Sequence, residues 1–348
     1  MTATATQTAE TAWQGRTVSE TTVRRSGAIV MFARNVLEVV FISVTIFFFA
    51  TIVTFLLRAA TGITPVSLLL RNDETIDPEK EAQILAGWGL DKPLIEQYLT
   101  WLGGVLHGDL GTSWINGVSV SEVLAQRVPV SLSIALLGLI IGLVFGVLLG
   151  ITAAVTQGSI LDRGITVFTS FISSVPSFVV AIVLISVFAV GLGWLPAGGY
   201  VPPEVDPAAW AARIILPAIA LSLDTVADIA RQLRNGIVGT MHSNYATGAF
   251  LRGFSYNRVL YGHVLRNGVG PALTVLGMKF PALLGGAVIT EAIFGLPGYG
   301  VYTTRAASYG DVPIVQGALV ISVVLVLVFN LLVNATINRL SPTTKRGI

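Results

Sequence analysis

Long apolar runs that carry no charge restrict the fold of this chain more than any other feature. Residues 39–57 and 312–338 contain no Asp, Glu, Lys or Arg. A helix of about 20 apolar residues is long enough to cross a hydrocarbon core of about 30 Å. Because lipid cannot hydrogen-bond to the backbone, such a run is expected to cross the membrane as a helix, whose hydrogen bonds are internal.

Composition places the whole chain in the same class. Of its 348 residues, 53% are hydrophobic and 11% are charged, and the mean hydropathy is +0.77. Soluble domains carry roughly a quarter charged residues, so the composition indicates an integral membrane protein. The lack of cysteine excludes a disulfide framework. A net charge of +2 is too small to indicate a nucleic-acid partner.

Further hydrophobic segments extend the prediction to an all-α protein with six transmembrane helices. The predicted spans are residues 35–58, 128–155, 165–192, 213–236, 272–294 and 312–338. The third span contains Pro176, which frees a backbone carbonyl that lipid cannot satisfy. The face around this proline is therefore expected to pack on protein or water. A packing kink and a part in a transport path both stay open.

The distribution of basic residues predicts the orientation of the chain. Arg24 and Arg25 precede the first span, and the loop 237–271 contains no acidic residue. Short loops rich in Lys and Arg stay on the cytoplasmic side of a membrane. We therefore predict that this loop and both tails, 1–34 and 339–348, are cytoplasmic.

The segment 59–127 differs from the rest of the chain because it is acidic and rich in helix-start signals. Asp77-Pro78 is a typical N-cap followed by a proline in the first turn, and Ser119-x-x-Glu122 is a capping box. The segment predicts a small extracytoplasmic helical domain between the first two spans.

The basic loop has a definite pattern of its own. Its residues from Tyr245 to Arg252 can form two helical turns, and Gly253 then stops the helix because glycine accepts a positive φ. Ser255 is a suitable N-cap for a second helix that runs to Arg266. The sequence predicts a helix, a glycine elbow and a second helix.

At these residues the chain resembles the permease subunits of ABC importers. Their EAA loop is matched by Thr247-Gly248-Ala249, then by Gly253, and then by residues 263–267. This version is similar to that of the first, B-type permease of the dipeptide/oligopeptide/nickel family. Four further stretches also resemble that family: GLD-x-P and GDLG-x-S between residues 89 and 113, the turn 192–200, and residues 291–300.

The resemblance implies a fold and a set of partners. The fold is the type I ABC importer permease, in the cytoplasmic membrane of a bacterium. The partners are a second, homologous permease, two ATP-binding subunits, an extracytoplasmic substrate-binding protein and membrane lipid. No cofactor is expected in this chain, since ATP and Mg²⁺ belong to the ATP-binding subunits. In agreement with this, the sequence contains no Walker A motif.

The resemblance also implies a coupling site. In the family the EAA loop forms a short helix that docks into a groove of the ATP-binding subunit. The matching positions here are Tyr245, Ala246, Thr247, Gly248, Ala249, Arg252, Gly253 and Arg258. A helix laid into a groove needs small residues where it approaches closely. We expect Ala246, Gly248 and Ala249 to supply them.

Charges inside the predicted spans mark a second candidate site. Asp224, Asp228 and Arg231 share one face of the fourth span, and Lys279 lies in the fifth. In one interpretation, the pairs Asp224–Lys279 and Asp228–Arg231 only fix helix packing. In the other, the carboxylates line the translocation path and balance the ammonium group of a peptide. The candidate path residues are Asp224, Asp228, Lys279, Glu291 and Pro176.

Two alternatives to peptide import stay open. Uptake of nickel or another small solute by the same family is the second reading, although scattered histidines and the lack of cysteine predict no metal site in the chain. An intramembrane enzyme is a distant third, because it needs a nucleophile and a base held together. Ser255 and His263 have no acid nearby to orient the histidine. We therefore predict no catalytic residues.

Overall fold

The structure is a computed structural model that describes residues 36–60, 62, 64, 66 and 78–340, except for the side chains of residues 78, 266 and 337–340. The predicted tail 1–34 and most of the tail 339–348 lie outside the described residues. The described residues form helices and no strand, apart from one isolated bridge between Thr112 and Ser119. The prediction of an all-α protein is confirmed.

The described part of the chain contains twelve helices, α1 to α12 in chain order. They are α1 (Val36–Ala60), α2 (Pro78–Gly87), α3 (Leu94–Leu106), α4 (Val120–Val155), α5 (Ile160–Ser174), α6 (Ser177–Leu184), α7 (Pro207–Met241), α8 (Asn244–Leu251), α9 (Tyr256–Val259), α10 (Gly270–Phe294), α11 (Tyr299–Tyr309) and α12 (Val312–Leu340). Helix α6 continues as a π-helical turn over Ile185–Gly191, and α9 continues as a π-helical turn over Leu260–Val264 and an α-helical turn over Leu265–Gly268.

Four helices of the described part, α1, α4, α10 and α12, are long and apolar enough to cross a membrane. The pair of α5 and α6 qualifies as a fifth candidate when the two are taken together. Helix α7 is 35 residues long and carries five charged side chains between Arg213 and Arg234. At 1.5 Å per residue it extends about 52 Å, which is more than the thickness of a hydrocarbon core.

The segment predicted as a continuous third span is broken in the structure. Helix α5 ends at Ser174, Val175 is extended with φ −91° and ψ 122°, and α6 begins at Ser177. The axes of the two helices differ by 96°. Pro176 causes the break, because a proline disfavours helical geometry in the residue before it and donates no hydrogen bond. This is a turn between two helices, and it replaces the predicted kink.

The second predicted span begins earlier than residue 128. Helix α4 starts at Val120, where the Ser119 side chain accepts a hydrogen bond from the backbone N–H of Glu122. The Ser119 side of the predicted capping box is therefore present. Pro129 lies inside the helix without ending it, so the apolar boundary seen in the sequence is not the helix boundary.

Helices α4 and α7 form the central pair of the fold. Four glycines of α4, spaced by four residues, face α7: Gly138, Gly142, Gly146 and Gly150. A Cβ added at Gly150 would lie 2.8 Å from the Ala230 carbonyl oxygen, and one at Gly142 would lie 2.5 Å from Thr225 Cγ2. Small residues in such a row let two helix backbones approach closely. The glycine row thus fixes the position of α7, which carries Asp224 and Asp228 and leads directly into the predicted coupling loop.

Candidate functional site

The elbow between α8 and α9 has the predicted geometry. Helix α8 covers Asn244–Leu251, and Gly253 follows with φ +81°. Nothing lies within 4 Å of a Cβ built on Gly253. The backbone angle, and not a lack of space, therefore makes glycine the favoured residue there. The helix, glycine elbow and second helix are confirmed.

The inner face of α8 packs against the chain itself. Ala246 and Ala249 are buried at 0% and 2% exposure, in a cluster with Ile237 of α7 and with Val259 and Val264. We expected these two alanines to supply the close approach to another protein. The structure instead places them on the face that attaches α8 to α7, and of the expected small residues only Gly248 is partly exposed.

The outer face of α8 and the elbow carry a different set of side chains. Tyr245, Thr247 and Arg252 are exposed, as predicted for a contact surface. The sequence reasoning did not select Phe250 and Leu251, although Leu251 is 85% exposed. Helical periodicity could have indicated this exposure. Residues 246 and 249 lie on one face of the helix, so residue 251 lies on the opposite face.

Aromatic stacking organises the elbow. The Arg252 and Arg258 guanidinium carbons lie 5.7 Å and 4.6 Å from the centre of the Phe254 ring, and the His263 ring stacks on it at 6.3 Å. Arg252 Nε also donates to the Gly248 carbonyl at 3.1 Å. Two predicted residues thus flank one ring, and cation–π attraction favours that arrangement.

The end of α9 is fixed to α7 by direct backbone contact. A Cβ at Gly268 would lie 3.1 Å from the Gly236 carbonyl oxygen. With the alanines of α8, this contact holds the elbow at the end of α7 at two points.

A second link ties α7 to α5. Arg234 donates to both carboxylate oxygens of Asp162, at 2.6 Å and 2.7 Å. The Asp162 side chain is 4% exposed and also accepts from the Gly158 backbone at 2.9 Å. The sequence reasoning did not find this pair, whose members are far apart in the chain. A bidentate pair of this kind fixes orientation as well as distance.

The charges predicted in the fourth and fifth spans meet between α7 and α10. Lys279 Nζ lies 2.5 Å from Asp224 Oδ2 and also contacts Asp228, whose Oδ1 lies 2.5 Å from Arg231 Nη2. The two pairs expected from the sequence are present, and Lys279 in addition bridges both carboxylates. The Lys279 side chain is 12% exposed, whereas that of Asp224 is 64% exposed.

Glu291 lies apart from this cluster, in the interior at the end of α10. It is 0% exposed, its carboxylate accepts from Ser131 Oγ, and it accepts from the Val301 backbone N–H at 2.9 Å. A Cβ on Gly298 would overlap its carboxylate. Glu291 thus links α4 and the start of α11 to the end of α10, while its predicted place in the path stays a prediction. Pro176 lies at the break between α5 and α6.

The described residues contain no group of three or more His, Asp or Glu side chains placed to hold a metal ion. Instead, the geometry combines a bundle of apolar helices, a charged cluster on α7 and α10, and an exposed elbow at the end of α7. This combination defines a multi-pass helical membrane protein with a projecting basic loop. Its fold resembles a chain of the MetNI methionine ABC transporter in an inward-facing conformation, with a TM-score of 0.51 and 17% sequence identity over 63% of this chain and 96% of that one.

Sequence comparison defines the family. The profile described as "binding-protein-dependent transport system inner membrane component" matches residues 146–346, and the corresponding N-terminal profile matches residues 31–135. The chain belongs to this family of ABC importer permeases.

Its similarity to individual relatives extends over most of their length. The oligopeptide transport system permease AppB of Bacillus subtilis is 35% identical over 294 residues, which cover 83% of this chain and 92% of the relative. The di/tripeptide transport system permease DppB of Pseudomonas aeruginosa is 32% identical over 308 residues, covering 83% and 91%. Members of the family are transporter components, so the chain acts within a transporter complex and not as an enzyme.

Proposed function

We propose that this chain is one permease subunit of an ATP-driven importer of di- and oligopeptides. The relatives named above are permeases of peptide systems, and they align with more than four-fifths of the chain. Nickel uptake has less support, since the described residues offer no cluster of metal ligands.

The proposed assembly contains four kinds of partner. A second, homologous permease completes the translocation path, two ATP-binding subunits supply the energy, and an extracytoplasmic binding protein delivers the peptide. Lipid surrounds the spans. We infer no cofactor within this chain, and we assign ATP and Mg²⁺ to the ATP-binding subunits.

The proposed topology has six spans and both termini in the cytoplasm. Helix α7 is counted as a span because it packs along the apolar α4, and the bent pair of α5 and α6 supplies another. The segment between α1 and α4 is then extracytoplasmic, and the elbow between α8 and α9 is cytoplasmic, as its basic character favours.

The observation that carries the proposal is the two-sided construction of α8. One face, through Ala246 and Ala249, is buried against α7, and the other presents exposed side chains up to Leu251. A short helix that is fixed to a long intramembrane helix and exposed on its far side can receive a partner and transmit its motion. We assign the contact with the ATP-binding subunit to the exposed face of α8 and to the elbow.

The charged cluster is the second functional element of the proposal. Asp224 is largely exposed at the surface of this chain and is held by the more buried Lys279. An ionisable group inside a span faces protein or a water-filled path. We assign Asp224 to the translocation path and Asp228 and Lys279 to its support. Glu291 and Pro176 belong to packing.

Reconstitution tests the proposal directly. The chain is assembled in lipid with the second permease and the ATP-binding subunits, and ATP turnover is measured with and without peptide-loaded binding protein. We expect turnover to rise with loaded binding protein. Turnover that stays at the same rate with and without peptide would contradict the proposal.

A further inference from the structure

An open groove of about 610 Å³ lies between α10 and α12. Its lining residues are Thr274, Gly277, Met278 and Pro281 from α10, with Asn330, Val333 and Asn334 from α12. The volume is within the range of pockets that hold small molecules. Neither the charged cluster nor the elbow includes any of these residues, so the groove has no role in the contacts described above.

The two asparagines of the groove have carboxamides without a partner. Both residues are only partly buried, and in the part of the chain that the structure describes neither Asn330 nor Asn334 forms a side-chain hydrogen bond. Ser322 and Thr336 of the same helix differ, since each donates to the carbonyl oxygen four residues earlier. A carboxamide offers two N–H donors and an acceptor oxygen, and all of these are free to bind a molecule in the groove.

The depth of the groove makes this need for a partner strong. Helix α12 is one of the helices that are long and apolar enough to cross a membrane. Asn330 lies eight residues before the end of the charge-free run at residue 338, which is about 12 Å along the helix. Hydrocarbon offers no hydrogen-bond partner there, and a polar group that lacks one is unfavourable. The groove therefore faces protein or water and not lipid.

The groove is next to the charged cluster. The Asn330 Oδ1 atom is 3.9 Å from a Cβ built on Gly277, and Lys279 follows Gly277 by about 3 Å along α10. Successive helical residues are about 100° apart, so Met278, which is 71% exposed, lies between the groove and Lys279. The groove and Asp224, the partner of Lys279, thus flank one exposed face of α10 at a similar depth.

The spacing of the two carboxamides fits an extended peptide. Asn330 and Asn334 are about 6 Å apart along the axis of α12. An extended chain rises about 3.3 Å per residue and repeats its orientation every second residue, which gives a similar repeat of about 6.6 Å. Each carboxamide can donate to a peptide carbonyl and accept from a peptide N–H. The flexible thioether of Met278 can adapt to side chains of different shape.

We propose that Asn330 and Asn334 line the translocation path and bind the main chain of the transported peptide, whatever its side chains. The inference rests on the proposed function, which supplies both the peptide and the place of Asp224 in the path. The main chain is the part that all peptides share, so these two residues contribute to uptake of the whole class. Asp224 on the other side of α10 responds to charge.

Uptake of ester analogues tests the inference in the complete transporter. The transporter is reconstituted in vesicles loaded with ATP, and the probes are labelled trialanine and its two analogues in which an ester oxygen replaces one main-chain N–H. The ester penalty is the ratio of trialanine uptake to ester uptake. The same binding protein serves every variant, so its own preference cancels when penalties are compared.

Asn330→Leu and Asn334→Leu remove a carboxamide at similar size. A hydrogen bond contributes enough that we expect the penalty of at least one ester to be about threefold to tenfold smaller in these variants than in the unmodified transporter. The matched control is Thr336→Val, because Thr336 is an exposed polar residue of α12 that does not line the groove. We expect the control to keep the full penalty. Equal penalties in all four transporters would overturn the inference.

Co-purification with the second permease separates a peptide from a helix as the occupant of the groove. We expect both leucine variants to assemble, and one that assembles is enough for the comparison of penalties. Loss of the second permease from both variants would mean that the carboxamides bind that subunit, and would overturn the inference. Uptake of trialanine with equal penalties would leave the proposed function standing. An unmodified transporter that hydrolyses ATP but takes up no peptide would remove both.

Discussion

Gly253 sets the geometry of the elbow, because its φ of +81° is unfavourable for any residue with a Cβ. A β-branched residue there costs about 1–2 kcal/mol or forces the backbone to change. We expect Gly253→Val to insert and assemble but to lose most of the stimulation of ATP turnover by loaded binding protein. The measurement is the ratio of stimulated to basal turnover in the reconstituted complex.

Gly239→Val is the matched control for that experiment. Gly239 lies within α7, its φ is not positive, and nothing lies within 4 Å of a Cβ built on it. We expect its ratio to stay close to that of the unmodified chain. A normal ratio in Gly253→Val would remove the elbow from the coupling mechanism.

The cluster of Lys279 with two aspartates predicts unequal effects of its substitutions. Lys279 contacts both Asp224 and Asp228, so Asp224→Asn leaves the lysine paired. Asp224 is also 64% exposed, and we expect its substitution to change stability by less than about 1 kcal/mol. Lys279→Met leaves two close carboxylates with only Arg231, and we expect it to cost about 3–5 kcal/mol.

Thermal unfolding of the two variants in detergent measures this difference. An equally large loss of stability in both variants would mean that Asp224 acts through helix packing, which is the first of the two interpretations of the sequence. If Asp224→Asn is stable, uptake of cationic peptides compared with anionic ones tests its place in the path. We expect the cationic peptides to be affected more.

At the scale of elements, the fold depends on the close contact of α4 and α7. Gly150→Ala places a methyl group 2.8 Å from the Ala230 carbonyl oxygen, where backbone and not a flexible side chain must move. We expect a loss of about 1–3 kcal/mol in stability. The measurement is the unfolding temperature of the purified chain.

Gly285→Ala in α10 is the control for the glycine row, because nothing lies within 4 Å of its Cβ position. Alanine has the higher helix propensity, so this variant should be unchanged or slightly more stable. Equal stability of Gly150→Ala and Gly285→Ala would show that α4 and α7 are not in close contact.

Element identity was predictable from the sequence, while several element boundaries were not. Apolar length predicted α1, α10 and α12 well, since lipid imposes length on a helix. It failed at the start of α4, where a capping Ser119 extends the helix beyond the apolar run. It also failed at Pro176, where a local backbone preference ends a helix inside an apolar segment.

Contacts between distant residues explain what else the sequence could not show. Ser113 Oγ donates to Asp311 Oδ2 at 2.5 Å, across nearly 200 positions of the chain. That pair gives a structural role to the last residue of the GDLG-x-S stretch. The pairing of Lys279 with Asp224 was predictable, because the helix rise per residue places both side chains at a similar depth in the membrane. No rule of rise or periodicity relates Ser113 to Asp311, or Asp162 to Arg234.

At the scale of the whole molecule, the proposed topology puts Leu106, at the end of α3, on the extracytoplasmic side and the elbow on the cytoplasmic side. The chain contains no cysteine, so single cysteines can report each side cleanly. Leu106 is 79% exposed and Leu251 is 85% exposed. In intact cells we expect an impermeant thiol reagent to label Leu106→Cys at once, and to label Leu251→Cys only after lysis. The reverse pattern would invert the topology.

Cross-linking shows whether the exposed face of α8 contacts an ATP-binding subunit. A benzophenone probe is attached to Leu251→Cys or to Leu106→Cys in the purified chain before the complete transporter is assembled and illuminated. We predict a covalent product with the ATP-binding subunit from position 251 and none from position 106. A product with that subunit from position 106, or none from position 251 in a transporter that hydrolyses ATP, would contradict the account.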